Sequence, residues 1–301
     1  MWKQWIDRWK SGNALFRLVV VNVAVFLIVA TLRLAVRMGW EAGAEWEASA
    51  FGLATTWQLE GLAARPWSAL THAFVHLDVW HIAMNLLVLW WMGRVFMAQH
   101  GNRRLLSVYL VGALAGWCAY VAVLNGFPGL RSGRWALGAS SAVMAILAAA
   151  AATEPDRRVN LMFFGPTALK YLAIGYVVLD YIMLSSGENS GGHIAHLGGA
   201  LFGFVWARRL AQGTNLTRWM ERLLDFLATG HRPMRVVKPK RRGTRKQPDT
   251  RSARIKTDEQ FNAERKANAQ RLDRILDKIS RHGYDRLTKE EKDFLFRQSN
   301  Q

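Results

Sequence analysis

From about residue 15 to residue 211 the chain is strongly apolar, with its charges confined to short gaps, whereas from about residue 230 onward it is highly charged. The mean hydropathy near zero, with 51% hydrophobic residues, averages over these two unlike parts. Such a split argues for a membrane domain joined to a soluble tail, not for one globular core. A helix needs about 20 apolar residues to cross roughly 30 Å of hydrocarbon. Six stretches meet or approach that length, near residues 15–36, 81–99, 104–124, 136–153, 161–184 and 194–211. The fourth and sixth are the shortest and the richest in Gly and Ala, which suits central helices shielded from lipid by the others. Lys3, Arg8, Lys10 and Arg17 precede the first stretch. That stretch is too long for a secretory signal and lacks a small-residue cleavage site, so it reads as a retained first span.

Orientation follows from the basic residues. They cluster before span one, between spans two and three (Arg94, Arg103, Arg104), after span four (Arg157, Arg158) and through the tail. The opposite loops carry Glu41, Glu45, Glu47, Glu60 and Glu188, with Arg131 and Arg134 as exceptions. Both termini are therefore expected in the cytoplasm. Spans two, four and six then begin on the outer side, and their first turns share one depth. The segment 37–80 between spans one and two carries Trp40, Trp46, Trp57 and Trp67, the residue type that favours a membrane interface. It reads either as a partly embedded outer loop or as an ordinary surface loop.

Beyond span six, Leu216, Trp219, Met220, Leu223, Leu224 and Leu227 recur at helical spacing among charges, the pattern of an interfacial amphipathic helix over 212–230. A basic linker over 231–257 follows. Between His231 and Lys256 eleven Lys and Arg stand against one acid, Asp249, within a net charge of +18. Beside a membrane span such a run points to anionic lipid headgroups, and no nucleic-acid fold signature accompanies it. Residues 258–301 read as a small helical hairpin. Leu272, Ile275, Leu276 and Ile279 form one stripe, Gly283 ends the first helix, and Thr288 with Glu291 makes a capping box for the second. It carries no catalytic constellation and reads as an interaction module. The single cysteine, Cys118, excludes an intrachain disulfide.

Most polar residues of interest sit in the three outer turns. Gly138-Ala139-Ser140-Ser141 opens span four. Glycine lets another chain approach the Ser140 hydroxyl, and a helix N-terminus offers free backbone N–H groups to an oxyanion. His193-Ile194-Ala195-His196-Leu197-Gly198-Gly199 opens span six, where Ala195, Gly199 and Gly203 recur every four residues as a stripe for tight helix contact. If span four packs on that stripe, His196 can serve Ser140 as general base. The bland reading is a satisfied interhelical histidine. His72, His76, His81 and Asn85 form the third group. His81 and Asn85 lie one turn apart on one face, and both can donate to an oxyanion or join a polar interhelical network. A histidine metal site lacks both an HExxH motif and an intramembrane carboxylate to join it.

Together these residues resemble the rhomboid family over roughly 10–211. The likeness rests on His76-Leu77-Asp78-Val79-Trp80-His81-Ile82-Ala83-Met84-Asn85, on Gly138-Ala139-Ser140, and on Ala195-His196 with Gly199 and Gly203. The resemblance implies an all-α polytopic membrane protein, a six-transmembrane-helix bundle over 1–211. It also implies an intramembrane serine protease whose substrates are single-span membrane proteins with a helix-breaking stretch near the outer surface. Ser140 would attack and His196 would take its proton, while His81, Asn85 and the Ser140 backbone N–H hold the oxyanion. Gly138, His76, Gly199 and Gly203 would support packing. No metal or other cofactor is expected. The family lacks a third, acidic member, which agrees with the cost of burying a carboxylate. Ser141, Met144 and Met97 depart from the common pattern, which has glycine, in some members tyrosine, and glutamate there. The C-terminal hairpin resembles an extension of some bacterial rhomboids, particularly Bacteroidetes-like ones, and the bacterial inner membrane is the implied location. A pseudoprotease that binds without cutting leaves Ser140, His196, His81 and Asn85 without a purpose. A metal-handling transporter leaves Gly138-Ala139-Ser140 unexplained.

Overall fold

The structure is a computed structural model that describes residues 13–40, 44–161, 165–229, 272–280 and 286–299. The chain divides into two compact units, Met1–Arg235 and Val236–Gln301.

In the first unit α1 spans Ala14–Arg37, and the Asn13 side chain caps it by accepting from the Phe16 N–H. Helix α2 spans Val79–Gly126, capped by Asp78, whose carboxylate accepts from the His81 N–H. Forty-eight residues would make a rod of about 70 Å, but α2 breaks at Gly101, where φ is 81° and ψ is 173°. Glycine tolerates that left-handed φ. The two arms correspond to the expected spans two and three. Helix α3 spans Ser140–Thr153, α4 Leu169–Leu184, α5 Ser190–Ala211 and α6 Arg218–Thr229. Among the described residues, α1 and α2 are long and apolar enough to cross a bilayer, and α3 is apolar but shorter.

Three expected boundaries move, each for a local reason. The helix expected as the fourth span starts at Ser140 and not at 136, because β2 (Trp135–Ala136) pairs antiparallel with β1 (Thr55–Thr56). The fifth starts at Leu169 and not at 161, because β3 (Arg158–Leu161) and β4 (Gly165–Ala168) form a hairpin there. The sixth starts four residues early, at Ser190, after Asn189 in the left-handed region.

Helix α3 lies at the centre, packed on α5 and both arms of α2. Small residues permit this. A methyl group at Gly199 would strike the Ser141 carbonyl, and one at Gly203 the Ala145 carbonyl. From α2, a methyl group at Gly112 would meet the Ala145 Cβ and one at Gly116 the Ser141 Cβ. The periphery is the reverse. Leu27, Ile28 and Leu34 of α1, Trp80, Met84 and Leu87 of α2, Ile174, Leu179 and Ile182 of α4, and Leu201 and Phe204 of α5 are all exposed. Soluble monomers rarely expose so much contiguous apolar surface.

Residues 44–78 are tied down by two tryptophans. Trp57 Nε1 donates to the Gly133 carbonyl and Trp67 Nε1 to that of Gly52. Trp40 and Trp46 are more than half exposed. Arg131 and Arg134, the exceptions to the charge bias, lie over the rings of Trp57 and Trp135.

Helix α6 splits its apolar stripe. Met220 is buried, while Trp219, Leu223, Phe226 and Leu227 face outward. An Arg103–Asp225 ion pair at 2.6 Å ties it to α2. The basic linker over 231–257 and Gly283 lie outside the described residues. In the second unit, α7 covers 272–280 and α8 Lys289–Ser299. Ile275 and Leu287 are buried, but Leu276 is half exposed, so the expected four-residue stripe narrows. The capping box is formed: the Thr288 N–H donates to Glu291 Oε2 at 2.8 Å, and the Glu291 N–H to Thr288 Oγ1 at 3.3 Å.

Candidate active site

The site is built from the first turns of α2, α3 and α5 and the loop entering α3. Ser140 is the first residue of α3, and Ala139 before it supplies no side-chain cap. The opening N–H groups of α3 are therefore not consumed by a capping side chain, and the positive end of the helix dipole faces the hydroxyl.

The loop is held from the 72–76 segment. The Gly138 N–H donates to the His72 carbonyl at 2.9 Å, and the Ala139 N–H donates to His76 Nε2 at 3.2 Å. His72 Nδ1 in turn contacts the Ser68 carbonyl at 2.9 Å. Tyr109 of α2 anchors this segment from the core, donating to the Ala73 carbonyl at 2.8 Å and accepting from Asn22 of α1 at 3.2 Å. His76 thus supports the loop entering α3 directly, as does the His72 carbonyl, and Asn22 and Tyr109 are supports that sequence reasoning did not single out.

Gly138 has a φ of +119°. A Cβ there would stand 2.8 Å from the His81 ring and 3.7 Å from Ser140 Oγ. The missing side chain leaves a space bordered by both groups. The His81 ring is steadied edge-on by His76, with centroids 5.0 Å apart. Asn85 is buried, and its Nδ2 donates to the His81 carbonyl at 2.9 Å. Its amide thus supports the turn that carries His81, and one N–H of the two remains for another acceptor.

His196 Nε2 lies 2.6 Å from Ser140 Oγ. The contact arises because Gly199 and Gly203 draw α5 against the α3 backbone. On its other side His196 Nδ1 lies 2.9 Å from Asp180 Oδ1 of α4, and His193 Nδ1 lies 2.7 Å from that same oxygen. The expectation that no carboxylate joins these histidines is overturned. Asp180 turns inward from α4, where two imidazole rings meet its carboxylate. The sequence held a signal, since Asp180 is the lone acid in an apolar helix and an intramembrane ionisable residue is a functional candidate by default. Asp180, His193 and His196 offer ligand atoms within 4.8 Å of one another. The hydrogen-bond distances to one shared oxygen already account for that closeness.

Of the departures, Ser141 is buried, and among the described residues its hydroxyl finds no partner. Gly116 leaves the room it occupies. Met144 is buried in the main core, and Met97 packs against that core.

This arrangement can be compared with known proteins. The family model described as Rhomboid domain matches residues 63–213, half of the chain. The chain belongs to the rhomboid family. Every residue of the site just described except Asn22 lies inside the matched region. A second model, described as a family of unknown function (DUF6576), matches residues 256–301. This rhomboid is 28% identical over 220 residues to RHOMBOID-like protein 12, mitochondrial, of Arabidopsis thaliana, covering 69% of this chain and 61% of that one. It is 32% identical over 146 residues to the human Presenilin-associated rhomboid-like protein, mitochondrial, covering 46% and 36%. It is 26% identical over 199 residues to Rhomboid protease GlpG of Pectobacterium atrosepticum, covering 66% and 63%. The chain therefore spans less than two thirds of the length of each of these relatives.

Proposed function

We propose that this rhomboid is an intramembrane serine endopeptidase that hydrolyses peptide bonds in or near transmembrane segments, with Ser140 as nucleophile and His196 as base. The observation that carries the reading is the 2.6 Å contact between Ser140 Oγ and His196 Nε2, beside a space edged by His81. Ser140 Oγ bonds to the scissile carbonyl carbon while its proton passes to His196 Nε2. The Ser140 N–H, His81 and the free Asn85 amide hydrogen stabilise the oxyanion. As the C–N bond breaks, the Nε2 proton goes to the leaving amine. Water then repeats the sequence on the acyl-enzyme and frees Ser140. The chemistry needs no cofactor or metal.

Residues 1–211 form the six-span membrane domain, with the two arms of α2 as spans two and three and the exposed apolar faces in lipid. The 212–230 segment lies at the interface through the outward face of α6. The basic 231–257 linker touches anionic headgroups, and 258–301 is a cytoplasmic interaction module of the kind carried by Bacteroidetes-like bacterial rhomboids. The basic-residue bias supports cytoplasmic termini. The bacterial inner membrane is the proposed location, and a mitochondrial membrane, the address in the names of the Arabidopsis and human relatives, is the competing one. Substrates are membrane proteins whose spans unwind near the outer surface, because a carbonyl tied up in a helix resists attack.

In a reconstituted cleavage assay on a single-span substrate, Ser140→Ala and His196→Ala are each expected to abolish turnover in folded protein. Asn85→Ala is expected to lower it about 10- to 1,000-fold, as for a lost oxyanion donor. Full activity of Ser140→Ala contradicts the assignment.

A further inference from the structure

We infer that Asp180 is a positioning residue for His196, so that the site works as a Ser140–His196–Asp180 relay spread over α3, α5 and α4. The inference rests on the serine-protease reading above and adds to it a member that the family resemblance does not imply.

Placement makes the first argument. Of the sixteen residues of α4, only Leu169 and Asp180 are buried. Ile174, Val178, Leu179, Tyr181 and Ile182 are all exposed. The helix thus turns most of its large apolar side chains out and its one carboxylate in, which is costly unless that carboxylate meets donors. It meets two, and both reach Oδ1. Oδ2 is buried and has no partner among the described residues. The protein's hold on the charge therefore runs through the two rings.

Proton placement makes the second. An ionised carboxylate only accepts hydrogen bonds, so the His196 nitrogen facing it must carry a proton. With Nδ1 protonated, Nε2 keeps its lone pair, and Nε2 faces the Ser140 hydroxyl. Asp180 selects the one neutral tautomer that can accept the serine proton. It then faces the imidazolium that forms, and takes no proton itself. His193, one turn before His196 on α5, donates to the same oxygen and keeps the carboxylate aimed. The other titratable groups around this cluster are His81 of α2, which interacts with His196, and Tyr176 of α4, which interacts with Asp180.

The test uses full-length protein in detergent and compares wild type with Asp180→Asn, Asp180→Glu and His193→Ala. Three readouts are taken: fluorophosphonate labelling rate, kcat and KM on a fluorogenic transmembrane peptide, and melting temperature. Asp180→Asn is expected to slow labelling and lower kcat about 100-fold or more, with KM and melting temperature near those of wild type. Asp180→Glu is expected to restore part of the rate, and His193→Ala to show a smaller loss than Asp180→Asn. Wild-type rates in Asp180→Asn overturn the inference while leaving the serine-protease reading intact. A folded wild type that neither labels nor cleaves overturns the reading itself. Nitrogen-15 histidine NMR of the wild type decides the matter even if a variant misfolds. The expected His196 signal is the Nδ1-protonated tautomer, and the Nε2-protonated form contradicts the relay. Stimulation of wild type by a chelator, with zinc inhibition relieved in Asp180→Asn, would assign the cluster to a metal instead and also overturn it.

Discussion

Helices α3 and α4 are both short and both apolar, yet they use apolarity in opposite ways. Ten of the fourteen residues of α3 are buried, and most are alanine or of similar bulk. In α4 most residues are Ile, Val, Leu, Met and Tyr, and the one polar side chain among its two buried residues is Asp180. A central helix must be thin so that neighbours can reach its backbone, and α3 is thin enough for Gly199 and Gly203 to touch its carbonyls. A peripheral helix must be greasy on the outside, and its inner face is then free for a polar task. Hydropathy alone does not tell these roles apart. Side-chain size does.

Substitutions can break that contrast in order of size. Gly203→Leu drives a branched side chain into the Ala145 backbone, so its cost is expected to exceed the roughly 1–3 kcal/mol usual for overpacking. Little folded protein should be recovered from membranes, and a monodisperse, active Gly203→Leu would contradict the packing account. Leu147→Ala empties a fully buried position in α3 and should cost about 2–5 kcal/mol in detergent unfolding. Ser141→Ala removes a buried hydroxyl that lacks a partner. It is expected to leave stability unchanged or raise it by about 1 kcal/mol, seen as a steady or higher melting temperature. Ile182→Ala, on the outward face of α4, should stay within about 0.5 kcal/mol of wild type. A loss at Ile182 matching that at Leu147 would erase the distinction between the two helices.

Much of this was legible in the sequence. The Gly and Ala enrichment of the fourth and sixth spans marked them as central; α3 is buried at the centre, whereas α5 packs its glycine face on α3 and leaves Leu201 and Phe204 exposed. Ser140, His196 and His81 stood out as polar groups at the starts of alternate spans, and the structure brings their side chains around one space beside Gly138. What stayed hidden has physical reasons. The β1–β2 pairing involves two residues on each strand, too few to show alternation. The β3–β4 hairpin carries enough apolar residues to read as the start of a span. Asp180 escaped because its helix reads as a uniformly apolar span, and the expected cost of a buried carboxylate spoke against an acid in the site. Its partners, His193 and His196, come from a different helix, and no local pattern announces that meeting.

The most direct measurement is fluorophosphonate labelling of purified, detergent-solubilised wild type beside Ser140→Ala and His196→Ala. The account predicts labelling of wild type alone, because only there is the Ser140 hydroxyl both present and activated by the imidazole 2.6 Å away. Equal labelling of wild type and His196→Ala, or no labelling of a well-folded wild type, would contradict the central claim.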